Sequence, residues 1–338
     1  MPLNKVTQSR LAQELQLSRN TVFRALNDLP GVAEATREIV KRKAAEMQYS
    51  HPSLHAAAGT TENHVPDIVL LCHSDAFDGF WSPIVKSCAT VLSEKGAVLR
   101  LVVADKRQED QLTLPPSVVL QTPDGMILCG NFRKEYYELV ASAGLPAVSM
   151  DSPVEHSGNS LLFDTIMMEN FDATYALTEH LIRKGHTYIS FAGNPLACKS
   201  FYERWCGFCK AMQDYHYPIH ENTMLTENDS FDRYSTPSLM ERLKAIPHLP
   251  TAFVCVNDMI ALNLYVLRYP PYNLFNKLEV SGFDNSAEYM PPTVTPYSTV
   301  EVHSTDIGSA LREQILWRMQ HPDRPFRTLR INSTPILR

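Results

Sequence analysis

Three short stretches with helical spacing open the chain. Residues 7–15 read as a first helix, with Thr7 as its expected N-cap. Ser18 caps a second, in which Val22, Ala25 and Leu26 fall at i, i+3 and i+4. After a Pro30-Gly31 turn, a third runs over 34–48 with Ile39, Val40, Ala44 and Met47 on one face. Residues 51–66 are small and polar with prolines at 52 and 66, a linker composition with a weak helical tendency at 53–58. From 67 onward, near-continuous apolar runs alternate with helical patterns. Strands are predicted at 68–71, 98–103, 126–128, 147–150, 188–191, 252–256 and 278–282. Helices are predicted at 81–95, 134–143, 169–184, 199–215, 258–268 and 304–320. This alternation is that of parallel, doubly wound sheets whose strands are buried on both faces. About 270 residues of it suggest two α/β lobes.

Charge sharpens the division. The chain has a formal net charge of −6 over 338 residues. Residues 1–50 hold eight Lys/Arg against five Asp/Glu, so a +3 head sits on a −9 remainder, as in a polyanion-binding module tethered to another domain. The start, Met1-Pro2-Leu3-Asn4-Lys5-Val6-Thr7-Gln8, has no apolar h-region, and no run of 18 apolar residues occurs; neither a secretory leader nor a membrane span is expected. The seven cysteines are read as reduced thiols in a cytoplasm.

The head carries the sharpest chemistry. Two short helices around the turn Leu15-Gln16-Leu17 make a helix-turn-helix, which places its second helix in the DNA major groove. Arg19 and Asn20 lead that helix. Arg takes guanine bidentately and Asn takes adenine, each contributing about 1–3 kcal/mol of discrimination. Arg24 reaches a base or a phosphate, and the hydroxyls of Ser18 and Thr21 suit backbone phosphates. Thr7 and Asn27 complete the DNA-facing set.

Several fixed-register matches then coincide: Leu11-Ala12-Gln13-Glu14, Ser18-x-x-Thr21-Val22-x-Arg24-Ala25-Leu26-Asn27, Pro30-Gly31-Val32, Glu34-x-Thr36-Arg37 and Tyr49. This head resembles that of the lac repressor/galactose repressor family of transcriptional regulators. Gln16 stands where a Gly is usual, Phe23 where a small hydroxyl residue is common, and Ala33 where a Ser cap is usual. The likeness continues through Asp124-Gly125-Met126-Ile127-Leu128, Arg204-x-x-Gly207-Phe208-x-x-Ala211, Asn257-Asp258-x-x-Ala261-Leu262 and Gly282-Phe283-Asp284-Asn285. It implies an N-terminal all-α helix-turn-helix head (1–50), a linker or hinge (51–66) and a periplasmic-binding-protein-like α/β effector and dimerisation domain of two doubly wound lobes (67–338). The N-lobe is expected over about 67–163 and 304–329, and the C-lobe over about 164–303 and 330–338.

The resemblance further implies a small effector, a sugar or sugar derivative, held between the lobes. Arg204, Asn257 and Asp284 would meet its hydroxyls, Phe80, Trp81 and Phe231 its apolar faces, and Asp151 ends a strand facing the same space. Such a mix suits a sugar: rings cover C–H faces while charged and amide groups take paired hydroxyls. Asn257 and Asp284 also fit turn or cap positions, and Phe80 and Trp81 a plain core. A homodimer on a pseudo-palindromic operator is implied, acting as a repressor. The family's hinge Leu, a minor-groove wedge, falls here at Ala58; either Leu54 takes that role through a shifted helix or the hinge binds DNA weakly.

One stretch suggests other chemistry. Arg204-Trp205-Cys206-Gly207-Phe208-Cys209 has the spacing of a redox dithiol. A working dithiol needs its first Cys at a helix N-terminus, whereas the helix predicted here starts near 199, so the two are read as packing thiols. No Gly-x-Ser-x-Gly, phosphate loop, His-Glu-x-x-His or second Cys pair occurs, and no catalytic residue, metal or cofactor is expected. A periplasmic solute-binding protein would share the lobes but needs a leader and lacks a basic head; an α/β enzyme would need catalytic groups.

Overall fold

The computed structural model describes residues 8–26, 31–47, 49, 65–73, 79–94, 97–156, 158–227, 234–275, 277–286 and 297–338. The head is three helices, α1 (Gln8–Leu15), α2 (Arg19–Leu26) and α3 (Glu34–Glu46). Leu11, Val22, Ala25, Leu26, Val40 and Ala44 close a small core, with Tyr49 packed on it. Ile39, expected on the buried face of α3, is instead exposed. Val40, Ala44 and Met47 follow the i, i+4, i+7 stripe, and a residue one step away turns about 100° off it.

The N-lobe is a six-stranded sheet in the order β10-β5-β4-β3-β1-β2: β1 (Asp67–His73), β2 (Val98–Ala104), β3 (Gly125–Cys129), β4 (Ala147–Met150), β5 (Asp164–Met168) and β10 (Thr328–Ile331). Every pairing in it is parallel. Alternation along β1 explains the apolar run 68–72 at its centre. Ile68, Leu70 and Cys72 join one core layer with Ile84, Ile307 and Leu311 from helices Trp81–Glu94 and Ser304–Gln320. Val69 and Leu71 join the opposite layer, with Tyr136 and Val140 of helix Lys134–Ser142.

The C-lobe holds the parallel sheet β6 (Ile189–Ala192), β7 (Ala252–Cys255), β8 (Glu279–Ser281), while β9 (Thr299–Val302) pairs antiparallel with β11 (Ser333–Ile336). Helices Phe171–Arg183, Lys199–Asp214, Thr236–Lys244 and Asp258–Tyr265 pack with it. The chain passes between lobes after β5, after β9 and between β10 and β11.

This corrects one boundary. The 163/164 limit puts residues 164–168 in the C-lobe, but β5 pairs with β4 in the N-lobe sheet, Val148 facing Asp164. The strand was hidden by its first residue. Asp164 is fully buried because Arg318 grips it with two bonds of 2.8 and 2.7 Å, while Gln314 donates at 2.6 Å and the Arg327 amide at 2.9 Å. β10 likewise extends the N-lobe past 329.

The two packing thiols lie within helix Lys199–Asp214, as expected from the helix start. Gly207 between them has its own reason: a Cβ there would lie 2.3 Å from the Phe171 carbonyl oxygen, so the glycine lets two helices touch backbone to backbone. Burial pushes the Cys209 thiol up to about 12, opposite to what a reactive dithiol requires.

Candidate functional site

In the head, α1 ends in a Schellman turn. The Leu17 amide donates to the Ala12 carbonyl at 3.0 Å and the Gln16 amide to Gln13 at 3.2 Å, with Gln16 left-handed at φ 52°. This turn sets the crossing of α1 and α2. Ser18 then starts α2: its Oγ accepts from the Thr21 amide at 3.0 Å and lies 2.7 Å from Thr21 Oγ1. Arg19 is exposed. Arg24 is half-buried, its Nη2 3.6 Å from where a Cβ on Gly31 would sit. Five residues separate the two arginines, about 140° around the helix, so they leave α2 on different sides. Asn20 belongs to α2 but its side chain, with Thr7, Asn27 and Leu54, lies outside the described residues.

Between the lobes, Arg204 is 2% exposed and tied in on all sides. Nε donates to Asn170 Oδ1 at 2.9 Å, Nη1 to the Val256 carbonyl and toward Asp284 Oδ1 at 3.5 Å, and Nη2 to Met168 Sδ at 3.1 Å. The guanidinium lies 3.5 Å from the centre of the Phe283 ring. Asp284 sits at φ 101° and Asn285 at φ 44°, left-handed backbone three and four residues after β8 ends. Asn257 N-caps helix Asp258–Tyr265, accepting from the Ile260 amide at 3.1 Å. Phe80 and Asp284 line one cavity of about 500 Å³, together with Asn285, Ser286, Glu301 and His303. Trp81 meets Phe80 edge to face at 5.2 Å but is 9% exposed and belongs to the N-lobe core. Phe231 lies outside the described residues.

Residues 178–338 match the periplasmic binding protein-like domain family. The chain is 27% identical over 330 residues to the HTH-type transcriptional repressor PurR of Vibrio parahaemolyticus, covering 95% of this chain and 94% of that one. The chain is thus similar to the transcriptional repressors of the lac repressor/galactose repressor family. The likeness in fold extends over the whole chain. The transcriptional regulator CelR in complex with cellobiose superposes with a TM-score of 0.69 at 21% identity, covering 99% of each chain. The lac repressor dimer bound to operator and an anti-inducer superposes at 0.64 with 20% identity, covering 98% of each. The relatives named here are transcriptional regulators. No helix among the described residues is long and apolar enough to cross a membrane.

Asp151 departs from the expectation that it faces the ligand. It ends β4 at φ 64°, 6% exposed. Its carboxylate accepts from the Ser152 amide at 2.7 Å and, across the lobes, from the Ser200 amide at 3.2 and 3.3 Å. The Lys199 amide also crosses, donating to the Ser152 carbonyl at 2.8 Å. Asp151 thus caps the N-terminus of helix Lys199–Asp214 from the opposite lobe. A helix N-terminus attracts a carboxylate because its first amides lack intrahelical partners. Trp81, by its burial, is core and not ligand-facing.

Other groups that build the site were not singled out in the sequence. Asp258 is fully buried, accepting from Thr299 Oγ1 at 2.7 Å and the Ser286 amide at 3.2 Å. Burial, followed by the nearby Asp284 charge, pushes its carboxyl well above the usual range. Gly282 has no Cβ because one would meet Asp258 Oδ1 at 2.0 Å. Asn170, Phe283 and Met168 hold Arg204. The Asn257-Asp258 and Gly282-Phe283 pairs lie within the motifs quoted above; Met168 ends β5, which was not recognised, and Asn170 stands at the start of the helix predicted at 169–184.

Proposed function

We propose that this chain is a dimeric, cytoplasmic transcriptional repressor whose operator affinity is set by a sugar or sugar derivative bound between its lobes. The observation carrying the reading is the pairing of a Schellman-turned helix-turn-helix, with Arg19 exposed at its leading edge, to a two-lobed body whose interlobe cavity brings Phe80 and Asp284 together. In this reading residues 1–50 bind DNA through Thr7, Ser18, Arg19, Asn20, Thr21, Arg24 and Asn27. Residues 51–66 form the hinge, with Leu54 as its wedge, and 67–338 form the body. Arg204, Asn257, Asp284, Phe80 and Phe231 serve the effector, Arg204 by holding Asp284 in place.

Dimerisation is supported by the free edge of β2, where Val98, Leu101 and Val103 are 42–50% exposed on a strand that can pair with a second copy. Two recognition helices then meet a pseudo-palindrome. Ligand closure that shifts the spacing of the heads changes operator affinity about 5- to 150-fold, the range of ordinary coupling energies. The cellobiose named with one structural neighbour agrees with a carbohydrate effector.

The test is selection of duplexes from a randomised palindrome, then fluorescence anisotropy with and without a sugar panel. We expect a discrete operator, and Arg19→Ala to cost about 1–3 kcal/mol on it while relaxing preference at one base position. Equal binding to all duplexes, unchanged by Arg19→Ala, refutes the reading.

A further inference from the structure

Any change in how the lobes are arranged must be absorbed where the chain passes between them. Two of these passages run side by side. The Glu169 amide, just after β5, donates to the Ile331 carbonyl at 2.8 Å, and Ser333 Oγ donates to the Glu169 carbonyl at 2.8 Å. One carboxylate of the C-lobe grips a residue beside each passage. Glu203, on helix Lys199–Asp214 and 9% exposed, accepts from Arg330 of β10 at 2.7 Å (Nη1) and 2.6 Å (Nη2). It also accepts from Asn170 Nδ2 at 3.2 Å. The two parallel bonds from one guanidinium fix direction as well as distance.

The next residue on the helix is Arg204. Its Nε donates to Oδ1 of the same Asn170 at 2.9 Å, and its Nη1 lies 3.5 Å from Asp284 Oδ1. Asn170, fully buried, therefore accepts from one neighbour and donates to the other. A continuous chain of polar contacts runs Asp284–Arg204–Asn170–Glu203–Arg330, from the cavity lining to a strand of the N-lobe sheet. Stability alone does not require its fourth member. Without the Glu203 carboxylate, Asn170 Nδ2 keeps the Met168 carbonyl at 2.9 Å. Arg330, its side chain 45% exposed, reaches water and stays under the charges of Glu169 and Asp151. Neither partner is left buried and unpaired. What Glu203 adds is a fixed distance between the helix and the crossing chain.

We infer that Glu203 is a positioning residue for the lobes: it clasps two interlobe passages to helix Lys199–Asp214, so that a displacement of Asp284 or Arg204 in the cavity is passed to β10 and the N-lobe. The N-lobe sheet starts with β1 directly after the hinge residues, so it is the lobe that carries the heads. Transmission to the heads rests on the reading of the chain as an effector-responsive regulator, whereas the clasp itself is measurable without ligand or DNA. A bonded chain of this kind carries coupling only if breaking one member changes the arrangement of the rest.

The experiment is single-molecule energy transfer on the full chain. Dyes are carried on non-natural residues at exposed Lys106 of the N-lobe and exposed Lys244 of the C-lobe, with labelled chain diluted into unlabelled. The parent should give one narrow interlobe distance. Glu203→Ala and Arg330→Ala should each shift that distribution or at least double its width, and the double variant should add nothing to the larger single effect. Glu203→Gln, which keeps one acceptor oxygen, should fall between parent and Ala. A lower melting temperature with the distances unchanged marks a merely structural pair and overturns the inference, as does additivity of the two Ala variants. Where an Ala variant fails to fold, Glu203→Gln decides, and a distribution identical to the parent's overturns the clasp. Fluorescence anisotropy on the selected operator separates the two readings. With the clasp broken, affinity without effector should change about fivefold or more while base preference stays. Shifted distances with unchanged operator affinity overturn the transmission to the heads. No discrete operator for the parent overturns the regulator reading, while the distances still decide the clasp.

Discussion

Removing the Asp151 carboxylate separates two contributions that act in opposite directions. Its oxygens satisfy the Ser152 amide on its own lobe and the Ser200 amide on the other. Asp151→Ala leaves both amides buried without acceptors, at about 1–3 kcal/mol for each unpaired group, and removes an N-cap worth about 0.5–2 kcal/mol. The same burial penalises the charge. Desolvation is the largest influence on the Asp151 carboxyl and raises it above 3.8, outweighing the hydrogen bonds from Ser200, Ser152 and Cys198 that lower it. Losing the charge therefore returns part of the cost, and the net loss for Ala is about 1–3 kcal/mol. At about 2–4 °C per kcal/mol for a body of this size, the melting temperature falls by roughly 2–12 °C. Asn caps helices about as well as Asp, so Asp151→Asn stays within about 1 kcal/mol of the parent.

The pH dependence gives the sharper test. With the folded pKa raised, the native state retains a proton between that pKa and 3.8 that the unfolded chain has lost. Stability from this group is therefore full below 3.8 and declines as pH rises through the folded value. Thermal unfolding from pH 4 to 7 should show the parent gaining on Asp151→Asn as pH falls. A parent-minus-Asn difference that is flat with pH, or an Ala variant as stable as the parent, refutes the account of the interlobe cap.

Gly207→Ala gains about 1 kcal/mol of helix propensity but drives a Cβ to 2.3 Å from a backbone oxygen; a net loss of about 1–3 kcal/mol is expected by denaturant titration. Gln16→Gly relieves a left-handed φ of 52° and should stabilise the head by about 0.5–1 kcal/mol, seen as slower amide exchange in α1 and α2. Burial would raise the Glu109 carboxyl, but the bonds from His73 and the Arg133 amide, with the charges of both residues, lower it below 4.5 overall. Its stabilisation is present above 4.5 and lost as pH falls through the folded value, so Glu109→Gln should flatten that part of the acid unfolding curve.

Legibility in the sequence followed burial. Strands with two buried faces, such as β1, β3 and β4, announce themselves because nearly every central position is apolar. β10 (Thr-Leu-Arg-Ile) and β11 (Ser-Thr-Pro-Ile) are half-exposed and gave no apolar run. Helix Lys106–Asp110 contains only charged and amide side chains and depends on a capping box from Asp105, which reciprocates with Gln108. In the cleft, the identity of Arg204 was readable from its motif. Its setting was not, because the four groups that fix it come from Asn170, Met168, Val256 and Phe283, distant stretches joined only by folding. Asp151 illustrates the same limit: a strand end is predictable, but which neighbour its carboxylate meets depends on how the lobes abut.

The placement of β10 constrains how the protein is made. The sheet begun by β1 is completed only by residues 328–331, beside β5 at 164–168. At about 5–20 residues per second, the ribosome needs on the order of 10–30 s to travel between them. Through that interval the β5 edge waits as an open template beside a finished head and a growing second lobe. A nascent chain with this topology must be shielded or fold late, and neither lobe can be cut out as one continuous gene segment.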